Sequence, residues 1–154
     1  GELAYEINVP ADYGQAAWKA LLETGRQDGI DVYGIEAMLM LRIEKGHVAG
    51  PEINGQTTIL DLGLGGMQSK LKHNIGKSLA TREGLIDPSR PAIVGLEPVD
   101  GKTWIKAGSQ LVENPDAAPP VAMLGHVTSI AYSGELDHPI ALAQIGRASG
   151  RERV

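Results

Sequence analysis

The first ten residues alternate. Leu3, Tyr5, Ile7 and Val9 fall on one side of an extended chain, with Glu2, Glu6 and Asn8 on the other. That period of two predicts a half-buried β-strand, and Pro10, which lacks an N–H for a strand ladder, ends it. The period then changes. Tyr13, Ala16, Ala17, Ala20 and Leu21 follow at i, i+3, i+4, i+7 and i+8, the stripe of an amphipathic helix. Asp12, with Gln15 three residues on, fits a capping box at its start, and Gly25 fits the residue just past its end. A second helix is predicted from Ile35 to Lys45, between Tyr33-Gly34 and Gly46. Ile35, Ala37, Met38, Leu39, Met40, Leu41 and Ile43 make it apolar nearly all round, a pattern that predicts burial against other elements.

From His47 to about Asn74 no helical period persists, and Gly50, Pro51, Gly55, Gly63, Gly65 and Gly66 punctuate the chain. This predicts an irregular connector. A short helix from Ile75 to about Glu83, closed by Gly84, comes next. The remainder is strand-like at residues 92–96, 110–112, 123–132 and 140–143. Turn signals separate these runs at Val99-Asp100-Gly101-Lys102, Glu113-Asn114-Pro115-Asp116 and Ser133-Gly134-Glu135. Short strands so spaced predict a small antiparallel barrel or sandwich. The fold class is therefore α+β: an α/β part to residue 48, a connector over 49–74 and an all-β part from residue 75.

Composition narrows the chemistry. With no Phe in 154 residues, the core must be built from aliphatic side chains. A net charge of −5 argues against non-specific nucleic-acid binding, which needs clustered Lys and Arg. The densest basic stretch, Lys70, Lys72, His73 and Lys77, reads as a solvated loop. The absence of Cys excludes disulfides and thiolate metal sites, and fits a reducing cytoplasm. No apolar run approaches the roughly 20 residues needed to span a bilayer.

Few residues offer a site. His47, His73, His126 and His138 do not stand at metal-ligand spacings, so no metal site is expected. Gly63-Leu64-Gly65-Gly66 lacks the following helix that a dinucleotide-binding loop requires. Ser129 and Ser133 lie outside any nucleophile motif and are expected to serve a strand and a turn. Arg42 and Glu44 are read as a buried structural ion pair. Glu2 and Glu6 share one face of the first strand, and a carboxylate there could accept two parallel N–H bonds from a planar heterocycle.

GELAYEINVPADYG followed by WKALLETG resembles the GE-x-x-[YF]-E segment of the aminomethyltransferase (glycine cleavage T-protein) family, and LRIEKG resembles its L-R-[LI]-E-x-G element. The run from Tyr33 to Leu79 is similar to the branch formed by α subunits of heterotetrameric sarcosine oxidases. VGLEPVDGK, GHVTSIAYS and IALAQI resemble the family's C-terminal β-barrel. The resemblance spans residues 1 to about 144. It implies the end of a folate-binding α/β domain (1–48), a connector (49–74) and the barrel (75–144). It also implies that the intact protein uses tetrahydrofolate for one-carbon transfer, with oxidase partner subunits in the cytoplasm and no membrane partner. FMN, an FAD-type flavin and NAD are expected only in the full assembly, outside this chain. Glu2 matches the family glutamate that holds the pterin; the catalytic aspartate is expected upstream, so no catalytic residue is expected here. Where T-proteins carry A-R-D, this chain has Ala37-Met38-Leu39, losing a cationic folate contact at Met38 and favouring the oxidase branch. Residues 145–154 (IGRASGRERV) resemble a translated sequencing adapter, and are expected to be a non-native tail on a chain whose upstream region is missing.

Overall fold

The computed structural model describes residues 3–146. The chain forms two compact units, residues 1–34 and 35–154.

In the first unit, helix α1 spans Gly14–Gly25. Asp12 is not its cap. It lies inside a single 3-10 turn, Ala11–Tyr13, and no side chain caps the helix start. At the other end Gly25 is still helical, and one further turn, Arg26–Asp28, carries the chain to Gly29 at φ 71°. Ile30 N–H donates to Gly25 O (3.0 Å) and Gly29 N–H to Arg26 O (3.4 Å), the paired bonds of a Schellman termination. The left-handed residue is thus Gly29, four positions later than Gly25. Gly25 serves instead as a seat for Ile30, whose side chain leaves no room for a Cβ there.

Residues 3–10 form no regular element and pair with no strand among the described residues. Leu3 (83 %), Tyr5 (78 %) and Ile7 (59 %) are exposed. The predicted half-buried strand is not seen: every residue from 3 to 10 is exposed, and a strand needs a partner ladder that none of the described residues supplies.

The second unit is a four-stranded antiparallel sheet with one helix on it. Strands β1 (Pro91–Leu96), β2 (Gln110–Val112), β3 (Met123–Ser133) and β4 (His138–Gly146) lie in the order β1-β4-β3-β2. All four fall where the alternating runs predict them. β4 is longer than expected: Ile145 pairs with Ala92 and Gly146 with Pro91, while residues 147–154 lie outside the described residues. As one of the two central strands, β4 is buried on both faces. On one face Ala141 and Ala143 pack with Val127 and Leu96. On the other, Ile140 and Leu142 pack with Ile43.

Ile43 comes from helix α2 (Ile35–Glu44), which packs chiefly on β3. It ends where Gly46, at φ 72°, permits His47 N–H to reach Arg42 O (2.7 Å) and Gly46 N–H to reach Ile43 O (3.0 Å). Contrary to the expectation of all-round burial, Ile43 is its one buried residue. Ile35, Met38, Leu39 and Leu41 are 44–69 % exposed, because the sheet covers one side of the helix only.

Residues 47–82 are turns and bends, as the connector predicts, but the expected helix at 75–83 is displaced. Gly76 sits at φ 86°, outside helical geometry, so residues 75–81 form successive turns. The helix α3 is a single turn at Glu83–Ile86, with Gly84 inside it.

Candidate functional site

The most organised polar cluster of the second unit lies where the connector crosses the sheet face that carries α2. Glu52, from the loop after Gly50-Pro51, is fully buried. Its Oε2 accepts from Arg42 Nη1 (2.8 Å) and from Ala49 N–H (2.8 Å), and its Oε1 accepts from Ser129 Oγ. Arg42 Nη2 donates to Ser129 Oγ (2.7 Å) and Nη1 also reaches His47 O (3.3 Å). Gln144 Nε2 holds Glu52 through its backbone carbonyl (2.7 Å). Helix, connector and β3 therefore meet on one carboxylate, and β4 holds the same residue by its backbone. Arg42 Nε is buried without a partner.

Burial pushes the Glu52 carboxyl upward, yet its pKa is lowered overall. Hydrogen bonds from Ser129, Ala49 and Thr128, with the Arg42 charge, outweigh the loss of hydration. This is the condition under which a buried charge is tolerated. The group joins α2, the connector and the sheet, and so holds the chain together.

Sequence reasoning paired Arg42 with Glu44, and the structure separates them. Residues two apart in a helix point to different sides. Arg42 turns to Glu52, while Glu44 Oε1 accepts from Ser133 Oγ (2.6 Å). Ser129 and Ser133 do occupy a strand and a turn, and each also anchors a carboxylate. Ser133 further accepts from Leu136 N–H (3.0 Å) at the β3–β4 turn. Glu52 itself was missed.

A second ion pair pins the connector to β1. Arg90 Nη2 donates to Asp61 Oδ2 (2.6 Å) and to Gln56 O (2.6 Å), and Arg90 Nε bridges both Asp61 oxygens at 3.1 and 3.2 Å. Burial raises the Asp61 carboxyl, but Arg90 and Thr58 bring it below its ordinary value.

The sequence candidates for chemistry fare differently. Glu2 lies outside the described residues. Glu6 stands exposed on the unpaired segment. Met38, at the departure from A-R-D, is 47 % exposed. His138 Nε2 approaches Glu97 at 3.4 Å, and no group of three His, Asp or Glu among the described residues is placed to hold a metal ion. Gly63–Gly66 forms turns with a 3-10 turn at Gly65–Met67, and offers no helix N-terminus for a phosphate. No helix among the described residues is long and apolar enough to cross a membrane.

Comparison with known proteins names the family. Residues 1–72 match the GCVT N-terminal domain, and residues 92–153 match the glycine cleavage T-protein C-terminal barrel domain. The chain is similar to a sarcosine oxidase subunit alpha of Rhizobium meliloti, 46 % identical over 154 residues, covering 99 % of this chain and 15 % of that protein. A sarcosine oxidase subunit alpha of a Corynebacterium species is 36 % identical, covering 100 % of the chain and 16 % of the relative. An aminomethyltransferase of Prosthecochloris aestuarii is 34 % identical over 149 residues, covering 96 % of the chain and 39 % of the relative. The chain thus spans about one-sixth of the sarcosine oxidase relatives it matches. With both family domains matched in order along nearly all of its length, the chain belongs to the glycine cleavage T-protein (aminomethyltransferase) family.

Proposed function

We propose that this chain is part of the tetrahydrofolate-dependent one-carbon-transfer module of a sarcosine oxidase α subunit. The observation that carries the reading is the 46 % identity to a sarcosine oxidase subunit alpha over 99 % of the chain. The replacement of the T-protein A-R-D by Ala37-Met38-Leu39 supports the same branch. In this reading the intact assembly demethylates sarcosine oxidatively in the cytoplasm, and the one-carbon unit leaves as 5,10-methylenetetrahydrofolate. Residues 1–48 are the end of the folate-binding domain, 49–74 the connector and residues from 75 onward the barrel.

Glu2 is the proposed folate contact, its two carboxylate oxygens accepting the parallel N–H groups of the pterin. No residue of this chain matches the family's catalytic aspartate, so the isolated chain is proposed to be inactive. FMN, an FAD-type flavin, NAD and the other oxidase subunits belong to the rest of the assembly.

The test is sarcosine turnover by the full-length protein with its co-encoded subunits. With tetrahydrofolate present, 5,10-methylenetetrahydrofolate should replace free formaldehyde as product. Glu2→Gln, which removes a charge-assisted bidentate contact, should raise the folate KM about 10- to 100-fold with little change in sarcosine oxidation. Formaldehyde release that ignores folate would refute the reading. The similarity to aminomethyltransferases supports a second reading, a glycine cleavage T-protein or a dimethylglycine oxidase or dehydrogenase of the same family. Turnover of dimethylglycine or of an aminomethylated carrier, and not sarcosine, would favour it. Folate binding with no turnover at all would identify a non-catalytic folate-binding member.

A further inference from the structure

The chain has four asparagines, Asn8, Asn54, Asn74 and Asn114, and the residue after each sets its chemistry. The next peptide nitrogen can attack an asparagine's side-chain carbonyl carbon if it has a proton to lose and room to approach. Val9 and Ile75 crowd that approach with β-branched side chains, and Pro115 has no N–H. Asn54 is followed by Gly55, where even a Cβ would meet nothing within 4 Å.

The turn around this pair leaves the reacting groups free. Gln56 N–H donates to Asn54 Oδ1 (2.8 Å), an Asx turn whose ring encloses the Gly55 peptide nitrogen. That donor lies on the oxygen where negative charge gathers as Cγ becomes tetrahedral, the place where a fixed N–H lowers such a barrier. Among the described residues neither Gly55 N–H nor Asn54 Nδ2 donates a hydrogen bond, so nucleophile and leaving group are both untied. The bonds that shape the turn are its own. Asn54 N–H donates to Thr57 Oγ1 (3.3 Å) and Thr57 N–H to Asn54 O (3.2 Å), all within residues 54–57.

We propose that Asn54-Gly55 is a self-modification site, where the backbone converts the side-chain amide to a carboxylate with water as co-reactant. Gly55 N bonds to Asn54 Cγ, the Cγ–Nδ2 bond breaks, and the departing nitrogen takes up the proton that Gly55 N gives up and leaves as ammonia. A succinimide ring remains. Water then adds to either ring carbonyl and breaks its bond to the ring nitrogen. One opening leaves an aspartate and the other an isoaspartate, whose backbone runs through the side-chain methylene. No atom is oxidised or reduced.

The site stands between the two anchors of the connector. Glu52 is held by Arg42, Ser129 and Gln144 on one side, and Asp61 by Arg90 on the other. Thr57 Oγ1 also donates to Glu52 O (3.3 Å). Isoaspartate adds a carbon to the backbone between these anchors. The aspartate product puts a carboxylate into the wall of a cavity of about 130 Å³ that Asn54 shares with Asp61 and Arg90, where it competes for the Arg90 guanidinium. Conversion therefore loosens the connector.

The test incubates the full-length subunit, folded in buffer and unfolded in urea, and maps its peptides by mass spectrometry. In the folded protein Asn54 should gain the mass of an amide-to-acid exchange ahead of Asn8, Asn74 and Asn114. Its rate should lie within about tenfold of that in urea, a barrier difference of about 1.4 kcal/mol at most. Gly55→Ala should slow the conversion about tenfold or more, with unchanged thermal unfolding. Amides of residues 52–57 should exchange faster in the converted fraction. An Asn54 left intact in the folded subunit while it converts in urea would overturn the proposal, since the fold then shields the pair. Conversion unaffected by Gly55→Ala would overturn the backbone attack, and exchange unaltered by conversion would overturn the loosening. The folded-against-unfolded comparison uses wild-type protein and decides the matter even if the variant is poorly produced. None of these readouts depends on which substrate the assembly turns over.

Discussion

Replacing Glu52 by Gln keeps the shape of the side chain and removes its charge. Arg42, 14 % exposed in its side chain, then stays in place as a cation without its counter-charge. One of the three donors facing the carboxylate, from Arg42, Ala49 or Ser129, must also meet an amide N–H₂. Breaking one side of a buried pair costs about 3–5 kcal/mol. Such a loss consumes a large share of the 5–15 kcal/mol typical of a domain. Removing both charges while keeping hydrogen-bonding groups, as Arg42→Gln/Glu52→Gln, should cost less, about 1–3 kcal/mol, for the one donor left facing an amide N–H₂. Urea unfolding in a Trp18→Leu background isolates Trp104, which stacks on Tyr132 of β3 (6.5 Å between ring centres) and reports on the sheet. A single variant losing under about 1 kcal/mol would refute the structural role of the cluster. A double variant no better than the single would show that unpaired charge is not the cause.

Acid should weaken the second unit in a defined window. Glu52 and Asp61 both have lowered pKa values, so their contribution is fully present above their ordinary values of 4.5 and 3.8 and is lost as pH falls through the folded values; a urea midpoint flat across that range would count against both pairs. Asp100 should titrate at about 2, because Thr103 Oγ1, Thr103 N–H and Lys102 N–H all donate to it; Thr103→Ala should bring it back toward 3.8, read by NMR. Gly125→Ala would drive a Cβ into the Gln144 carbonyl and the Ile145 backbone, so loss of slow-exchanging amides across β3 and β4 is expected. Leu142→Ala should cost about 2–5 kcal/mol in the same urea assay, since Leu142 is buried between β4 and α2 and the sheet cannot collapse to fill the gap.

The strands were legible because alternation and turn chemistry are local. Val99-Asp100-Gly101-Lys102 forms the turn its residues prescribe, with Gly101 at φ 62° and Asp100 accepting from the chain ahead. What depends on a partner was not legible. Leu3 to Val9 alternates, yet all of it is exposed and unpaired among the described residues, because a period does not say whether a partner exists. Ile75 to Glu83 has a helical composition, and a single left-handed residue, Gly76, decides against it. Glu52 sits in a Gly- and Pro-punctuated stretch with no periodicity, and its burial comes from side chains 77 and 92 residues away. One signal was available. Arg42 on an apolar helix needs a counter-charge, and Glu44, two residues on, is turned away from it. That should have directed the search to the carboxylates of the connector.

The same carboxylate also fixes an order of events. Ser129 and Gln144 reach Glu52 from β3 and β4, strands that are neighbours through a short turn. The hairpin can close from local contacts, whereas the Glu52 cluster cannot exist until that hairpin and α2 are both in place. Long loops closed late contribute little to the folding transition state and much to the barrier against unfolding. Glu52 therefore acts as a latch in time: its loss should leave the refolding rate nearly untouched and make the folded sheet open faster.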